Sequence, residues 1–153
     1  MKLTQFFNLE SIIPQLKAKT KSEAMGEIAA KLASLEPSLS KESILAVLME
    51  REKLGSTGIG MGIAIPHGKL AEAKKITACI ARSAQGIDFE AQDGELVYLF
   101  FTILAPENAA GMHLKILAKL SRLLKEKSFR TALLDAKDSK ALFELFSQEE
   151  ESF

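Results

Sequence analysis

Met25, Ile28, Ala29 and Leu32 recur at helical spacing behind Thr20-Lys21-Ser22-Glu23. That tetrapeptide has the form of a capping box, in which the threonine oxygen accepts from an orphan backbone N–H and the glutamate reaches back. A helix is predicted from there toward Pro37. A second follows Ser40, a favoured N-cap, and turns Ile44, Val47 and Leu48 to one face. Gly55 stands where a left-handed C-terminal residue is wanted, and Arg51 falls in the last turn, where a cation complements the helix dipole. Beyond a glycine-rich segment the period changes. "KITACIARS" (Lys75 to Ser83) and "ELVYLFFTILA" (Glu95 to Ala105) are rich in β-branched and aromatic residues and bounded by Gly86, Gly94 and Pro106, so both read as strands. The second is almost wholly apolar, which predicts a central strand covered on both faces. From Met112 the helical period returns, with Leu114, Leu117, Leu120 or Ser121, and Leu124 as its stripe, and His113 in its first turn. Short helices near Phe129 to Asp135 and Ser139 to Ser147 precede an acidic tail, "QEEES". With no repeat and no low-complexity linker, the pattern predicts a single α/β domain over 1–153: a mixed β-sheet flanked by α-helices.

Composition narrows the classes of partner. Lys plus Arg and Asp plus Glu number 20 each in 153 residues, so no global field is available to hold nucleic acid or an anionic membrane. Lys115, Lys119 and Arg122 share one helical face, which reads as a solvated surface. The single cysteine, Cys79, has no partner for an internal disulfide and sits mid-strand as a small core residue. The N-terminus lacks an uninterrupted apolar leader, and no apolar run approaches the roughly 20 residues that span a bilayer. A cytoplasmic protein without membrane insertion is expected. Two histidines and one cysteine without H-x-x-x-H or C-x-x-C spacing predict no metal, and no cofactor motif is present.

The chemistry concentrates in "REKLGSTGIGMGIAIPHGKL", Arg51 to Leu70, which holds five of the nine glycines between Gly55 and Gly68 and one of the two histidines. Glycines permit tight or left-handed backbone and bring main-chain N–H groups up to an anion. Gly55, Ser56, Thr57, Gly58, Gly60 and Gly68 are therefore the candidate phosphate cradle. Pro66 fixes φ just before His67 and pushes Ile65 into an extended conformation, so the imidazole is presented from a stiff support. Familiar phosphate loops fail on spacing. Five residues rather than four separate Gly62 from Gly68, Leu70 follows Lys69, and Ile63 stands where a dinucleotide fingerprint needs its third glycine. No G-x-S-x-G elbow occurs. What remains is His67 as nucleophile: imidazole is largely neutral near pH 7 and forms a phosphoramidate that can be passed on. Arg51 could present a planar fork to the phosphoryl oxygens.

At these residues the chain resembles the phosphotransferase-system enzyme IIA family of the fructose, mannitol and nitrogen-regulatory type. That family's signature is an acidic or amide residue, six free positions, an apolar and a small residue, two free positions, then apolar-Ala-apolar-Pro-His-Gly. Glu52, "KLGSTG", Ile59, Gly60, "MG" and Ile63-Ala64-Ile65-Pro66-His67-Gly68 satisfy every place. The similarity extends through "GIDFEAQDGELVYLFFTILAPE" and "HLKIL". The resemblance implies a phosphohistidine at His67, with Arg51 and His113 as neighbours, His113 as hydrogen-bond partner rather than acceptor. It also implies a phosphocarrier protein of the HPr or NPr type as donor, and either regulatory target proteins or an enzyme IIB cysteine downstream. The form of the segment is closer to the nitrogen-regulatory branch. A sugar-specific enzyme IIA is the alternative within that class, and a regulatory binding module without turnover is the alternative outside it.

Overall fold

The structure, a computed structural model, describes residues 1–152. In chain order its elements are β1 (Ile12–Ile13), α1 (Lys21–Leu35), α2 (Lys41–Lys53), β2 (Gly58–Gly60), β3 (Ile63–Ala64), β4 (His67–Leu70), β5 (Thr77–Ile87), β6 (Val97–Pro106), α3 (Ala110–Leu123), α4 (Lys127–Asp135) and α5 (Ser139–Glu151). The strands form one mixed sheet in the order β1-β5-β6-β3-β2, with β4 also paired to β6. Strand β6 runs antiparallel to β5 and parallel to β3 and β4. Its centrality accounts for its sequence, because its alternating side chains feed two separate cores. Phe100 and Leu104 pack with Ile28, Leu32, Ile44 and Leu48 of α1 and α2. Leu99, Phe101 and Ile103 pack with Ile116, Leu120, Leu133 and Phe146 of α3, α4 and α5. A strand buried on both faces has no place for a polar alternation.

The caps form much as local chemistry dictates. Thr20 accepts from the Glu23 N–H at 3.2 Å and Ser40 from the Ser43 N–H at 3.1 Å. The Glu23 carboxylate reaches one residue further than a regular capping box, to the Lys19 N–H at 3.0 Å.

Helix α3 keeps most of the expected stripe: Leu120 and the following Leu124 are fully buried and Leu117 packs against the same core. Leu114 is the exception at 68% exposed, and His113, Ile116 and Leu123 join the buried face instead. The two overlapping sets both have helical spacing, so periodicity finds the face but leaves its edge open by about one residue. The solvated face assigned to Lys115, Lys119 and Arg122 also loses a member. Lys119 pairs with the buried Glu150 carboxylate at 2.7 Å and donates to the Met1 carbonyl at 3.0 Å. Glu150 accepts in addition from the backbone N–H groups of Leu3 and Thr4, which ties both chain ends to α3.

Three strands within the glycine segment are too short for an alternating pattern to show. β3 and β4 lie along the same side of β6, separated at Pro66, whose missing N–H interrupts the ladder. The Pro66 carbonyl still accepts from the Ile103 N–H at 3.0 Å, which keeps the two pieces in line.

Candidate active site

His67 is the first residue of β4. Among the described residues β4 pairs only with β6, so its other edge is open. An open cleft of about 420 Å³ lies there. Arg51, Glu50 and Leu54 line it from the end of α2, His67, Gly68 and Lys69 from β4, and His113 from α3. Three separate stretches of chain thus bring His67, Arg51 and His113 to one place. Leu54, 83% exposed, leaves apolar surface at its mouth.

The His67 ring is oriented. Its Nδ1 lies 2.8 Å from the Ile65 carbonyl oxygen. A carbonyl only accepts, so Nδ1 carries the proton and Nε2 is left with a free lone pair. Burial lowers the His67 pKa below the ordinary imidazole value; the Arg51 guanidinium acts in the same direction, while the Ile65 bond and Glu52 oppose them. The ring is therefore neutral and nucleophilic at pH 7.

His113 stands edge-to-face with His67, ring centroids 5.3 Å apart. It is 4% exposed, and its Nε2 has no hydrogen-bond partner among the described residues. Burial, and then the nearness of His67 and Lys69, pushes its pKa down to about 4. The folded protein consequently keeps His113 neutral down to about pH 4, whereas the unfolded chain takes up the proton near 6.5. Stability from this source is undiminished above pH 6.5 and falls as the pH drops toward 4. Allowing for access of water to the cleft, the loss is roughly 2 kcal/mol. Urea unfolding at neutral and acid pH should show wild type losing that much more than His113→Phe; parallel losses in both would place the acid sensitivity elsewhere.

The cradle expected from the glycines does not gather around His67. The Thr57 N–H and hydroxyl are both taken by the Glu52 carboxylate. Ser56 donates to the Phe89 carbonyl at 2.9 Å and accepts from the Gly58 N–H at 3.0 Å. Gly58 and Gly60 are engaged in the β2–β3 pairing, Gly60 with a φ of +98°. The Gly55 carbonyl accepts from Arg51 Nη1 at 2.9 Å, which draws the guanidinium back over the end of its own helix. Only Gly68 of the six lines the cleft. It is there for close approach: a Cβ at this position would come within 2.3 Å of Val47 Cγ1. The Thr57 N–H and hydroxyl, the Ser56 hydroxyl and the Gly55 and Gly58 N–H groups are thus engaged within or beside the loop, and the charged and polar side chains lining the cleft are Glu50, Arg51, Lys69 and the two imidazoles.

Lys69 was not singled out from the sequence. Its signal was the two-residue step from His67, which puts both on one face of an extended strand. Cys79 is fully buried and its thiol is pushed up to about 12 by burial, so it has no thiolate to offer. Among the described residues no three His, Cys, Asp or Glu side chains gather as a metal site, and no helix is long and apolar enough to cross a membrane.

The fold and the sequence have relatives among known proteins. Residues 5–149 match the family described as phosphoenolpyruvate-dependent sugar phosphotransferase system, EIIA 2. The chain belongs to this family of phosphotransferase components, which carry the phosphoryl group as phosphohistidine. It is 42% identical over 147 residues to a nitrogen regulatory protein of Bradyrhizobium diazoefficiens, covering 96% of this chain and 95% of the relative. It is 33% identical to the fructose-specific EIIABC component of Bacillus subtilis, but spans only 23% of that protein. The crystal structure of nitrogen regulatory protein IIA-Ntr from Neisseria meningitidis superposes with a TM-score of 0.89 at 35% identity, covering 94% of this chain and 98% of that one. The Escherichia coli enzyme IIA for mannitol, solved in complex with its phosphorylated enzyme IIB, gives 0.77 at 26% identity, covering 94% and 99%.

Proposed function

We propose that His67 is the phosphoryl acceptor of a relay with a regulatory output, loaded by a phosphohistidine carrier of the HPr or NPr type. The observation that carries this reading is the His67 Nδ1–H donated to the Ile65 carbonyl, which leaves a bare Nε2 in a cleft shared with Arg51 and His113. In the transfer the Nε2 lone pair forms the new N–P bond, and the donor's N–P bond breaks with its electron pair returning to the donor imidazole. No proton has to move, because the His67 proton stays on Nδ1. What the protein supplies is in-line placement and charge. The Arg51 guanidinium is close enough to depress the His67 pKa and is suited to the phosphoryl oxygens. The unmatched Nε2 of His113 gains a partner when an oxygen arrives beside it.

The regulatory output is favoured by likeness to nitrogen regulatory proteins that extends along nearly the full length of both chains. A sugar-uptake role, with transfer onward to an enzyme IIB cysteine, has the mannitol complex in its favour. Incubation with a phosphorylated HPr-type donor and intact-mass measurement should show one acid-labile phosphoryl group per chain. No gain from any competent donor would overturn the proposal. Onward transfer to an enzyme IIB would assign the sugar role instead.

A further inference from the structure

Glu52, the first residue of the signature, takes no part in the chemistry described above, yet its carboxylate is buried and fully engaged. Its side chain is 3% exposed and pairs with Lys21 Nζ at 2.9 Å. Lys21 also donates to the Phe89 carbonyl at 3.2 Å. On its other side Glu52 accepts from the Thr57 N–H at 3.0 and 3.2 Å and from the Thr57 hydroxyl. A carboxylate that merely closed the end of α2 would stop there. The Thr57 carbonyl, however, accepts from the Ile65 N–H at 2.9 Å, and the Ile65 carbonyl accepts from His67 Nδ1–H at 2.8 Å. Hydrogen bonds therefore run without a gap from the α1 ammonium to the reactive ring.

The covalent chain between these points leaves little slack. Pro66 restricts Ile65 to extended backbone, so anchoring the Ile65 N–H also fixes where its carbonyl points. Thr57 itself lies among Gly55, Gly58, Gly60 and Gly62, whose backbone freedom would let it drift if nothing held it. Among the described residues, Glu52 is the one side chain of α2 that hydrogen-bonds to it. The geometry points to Glu52 as a positioning residue: through Thr57 and Ile65 it holds the His67 ring with Nδ1 protonated and Nε2 bare toward the cleft. Its negative charge also opposes the lowering of the His67 pKa by burial and Arg51. The effect on phosphoryl transfer rests on His67 being the acceptor, but the effect on the ring does not.

The test is a ¹⁵N NMR measurement of the His67 ring nitrogens, at a pH well above the imidazole pKa, joined to phosphoryl-acceptance kinetics. Wild type should show a protonated Nδ1 and a bare Nε2. Glu52→Ala should shift a large share of molecules to the opposite tautomer and slow acceptance by about tenfold or more, with the KM for the donor nearly unchanged. Glu52→Gln, isosteric and still an acceptor, should restore most of both. Glu52→Asp keeps the charge but withdraws the oxygens by one methylene, so it should behave like the alanine variant, and it carries the test if Glu52→Ala does not fold. Wild-type ring shifts in the folded alanine or aspartate variant would overturn the assignment. A shifted tautomer with undiminished acceptance would support the hold of Glu52 on the ring and count against His67 as acceptor.

Discussion

His67→Ala is expected to take up no phosphoryl group from a phosphorylated donor, a loss on the order of 10⁴-fold or more in rate, because the attacking atom itself is gone. His113→Ala should still accept, slowed by roughly 10²-fold, since it removes only a ring that meets the arriving oxygens. The asymmetry follows from the two environments. His67 has a fixed tautomer and a half-open position at the start of β4, whereas His113 is 4% exposed with its pKa pushed down to about 4. Intact mass of both variants after donor incubation checks this directly. A phosphoryl group retained by His67→Ala and lost by His113→Ala would exchange the two roles. As pH falls, acceptance by wild type should hold below the ordinary imidazole range and decline only where the lowered His67 pKa is crossed.

Gly68→Ala is expected to destabilise the fold by up to about 3 kcal/mol, a large effect for one added methyl group. The new Cβ would sit 2.3 Å from Val47 Cγ1 and 3.8 Å from the Val47 carbonyl carbon. Valine in a helix has essentially one χ1 rotamer, so it has little freedom to swing aside. Helix α2 must instead move off β4, and Arg51 goes with it, one turn further along the same helix. Chemical unfolding of Gly68→Ala, Val47→Ala and the double variant checks the cause. The double variant should recover most of the loss, and strict additivity would mean that the clash is not with Val47. Phosphoryl acceptance should fall in the single variant and return in the double one.

The helix caps and the constraint at Pro66 were legible because their chemistry is local. Pro66 constrains its neighbours whatever surrounds it, and Thr20 and Ser40 find their own N–H partners within one turn. The glycines misled for the complementary reason. Their backbone freedom suits an anion cradle and also suits a tight turn or a close approach, and Gly60 serves the second use and Gly68 the third. Nothing local distinguishes those uses. Glu52 was legible as a member of a pattern but not as a part with a task, because its partners are Lys21, 31 residues earlier, and a backbone route through Thr57 and Ile65.

By itself the amino-acid sequence determined the helices with caps and long apolar stripes, the almost wholly apolar central strand β6, and a histidine held on a proline after a run of glycines. These follow from dihedral preferences and short-range hydrogen bonds, which act over a few residues. Only the tertiary structure decided that α3 turns His113 rather than Leu114 inward, that the short strands β2, β3 and β4 exist, and that Arg51, His67 and His113 share one cleft. Those choices depend on which surfaces β6 and its neighbours leave to be covered, and packing between distant segments has no signature in the spacing of either one.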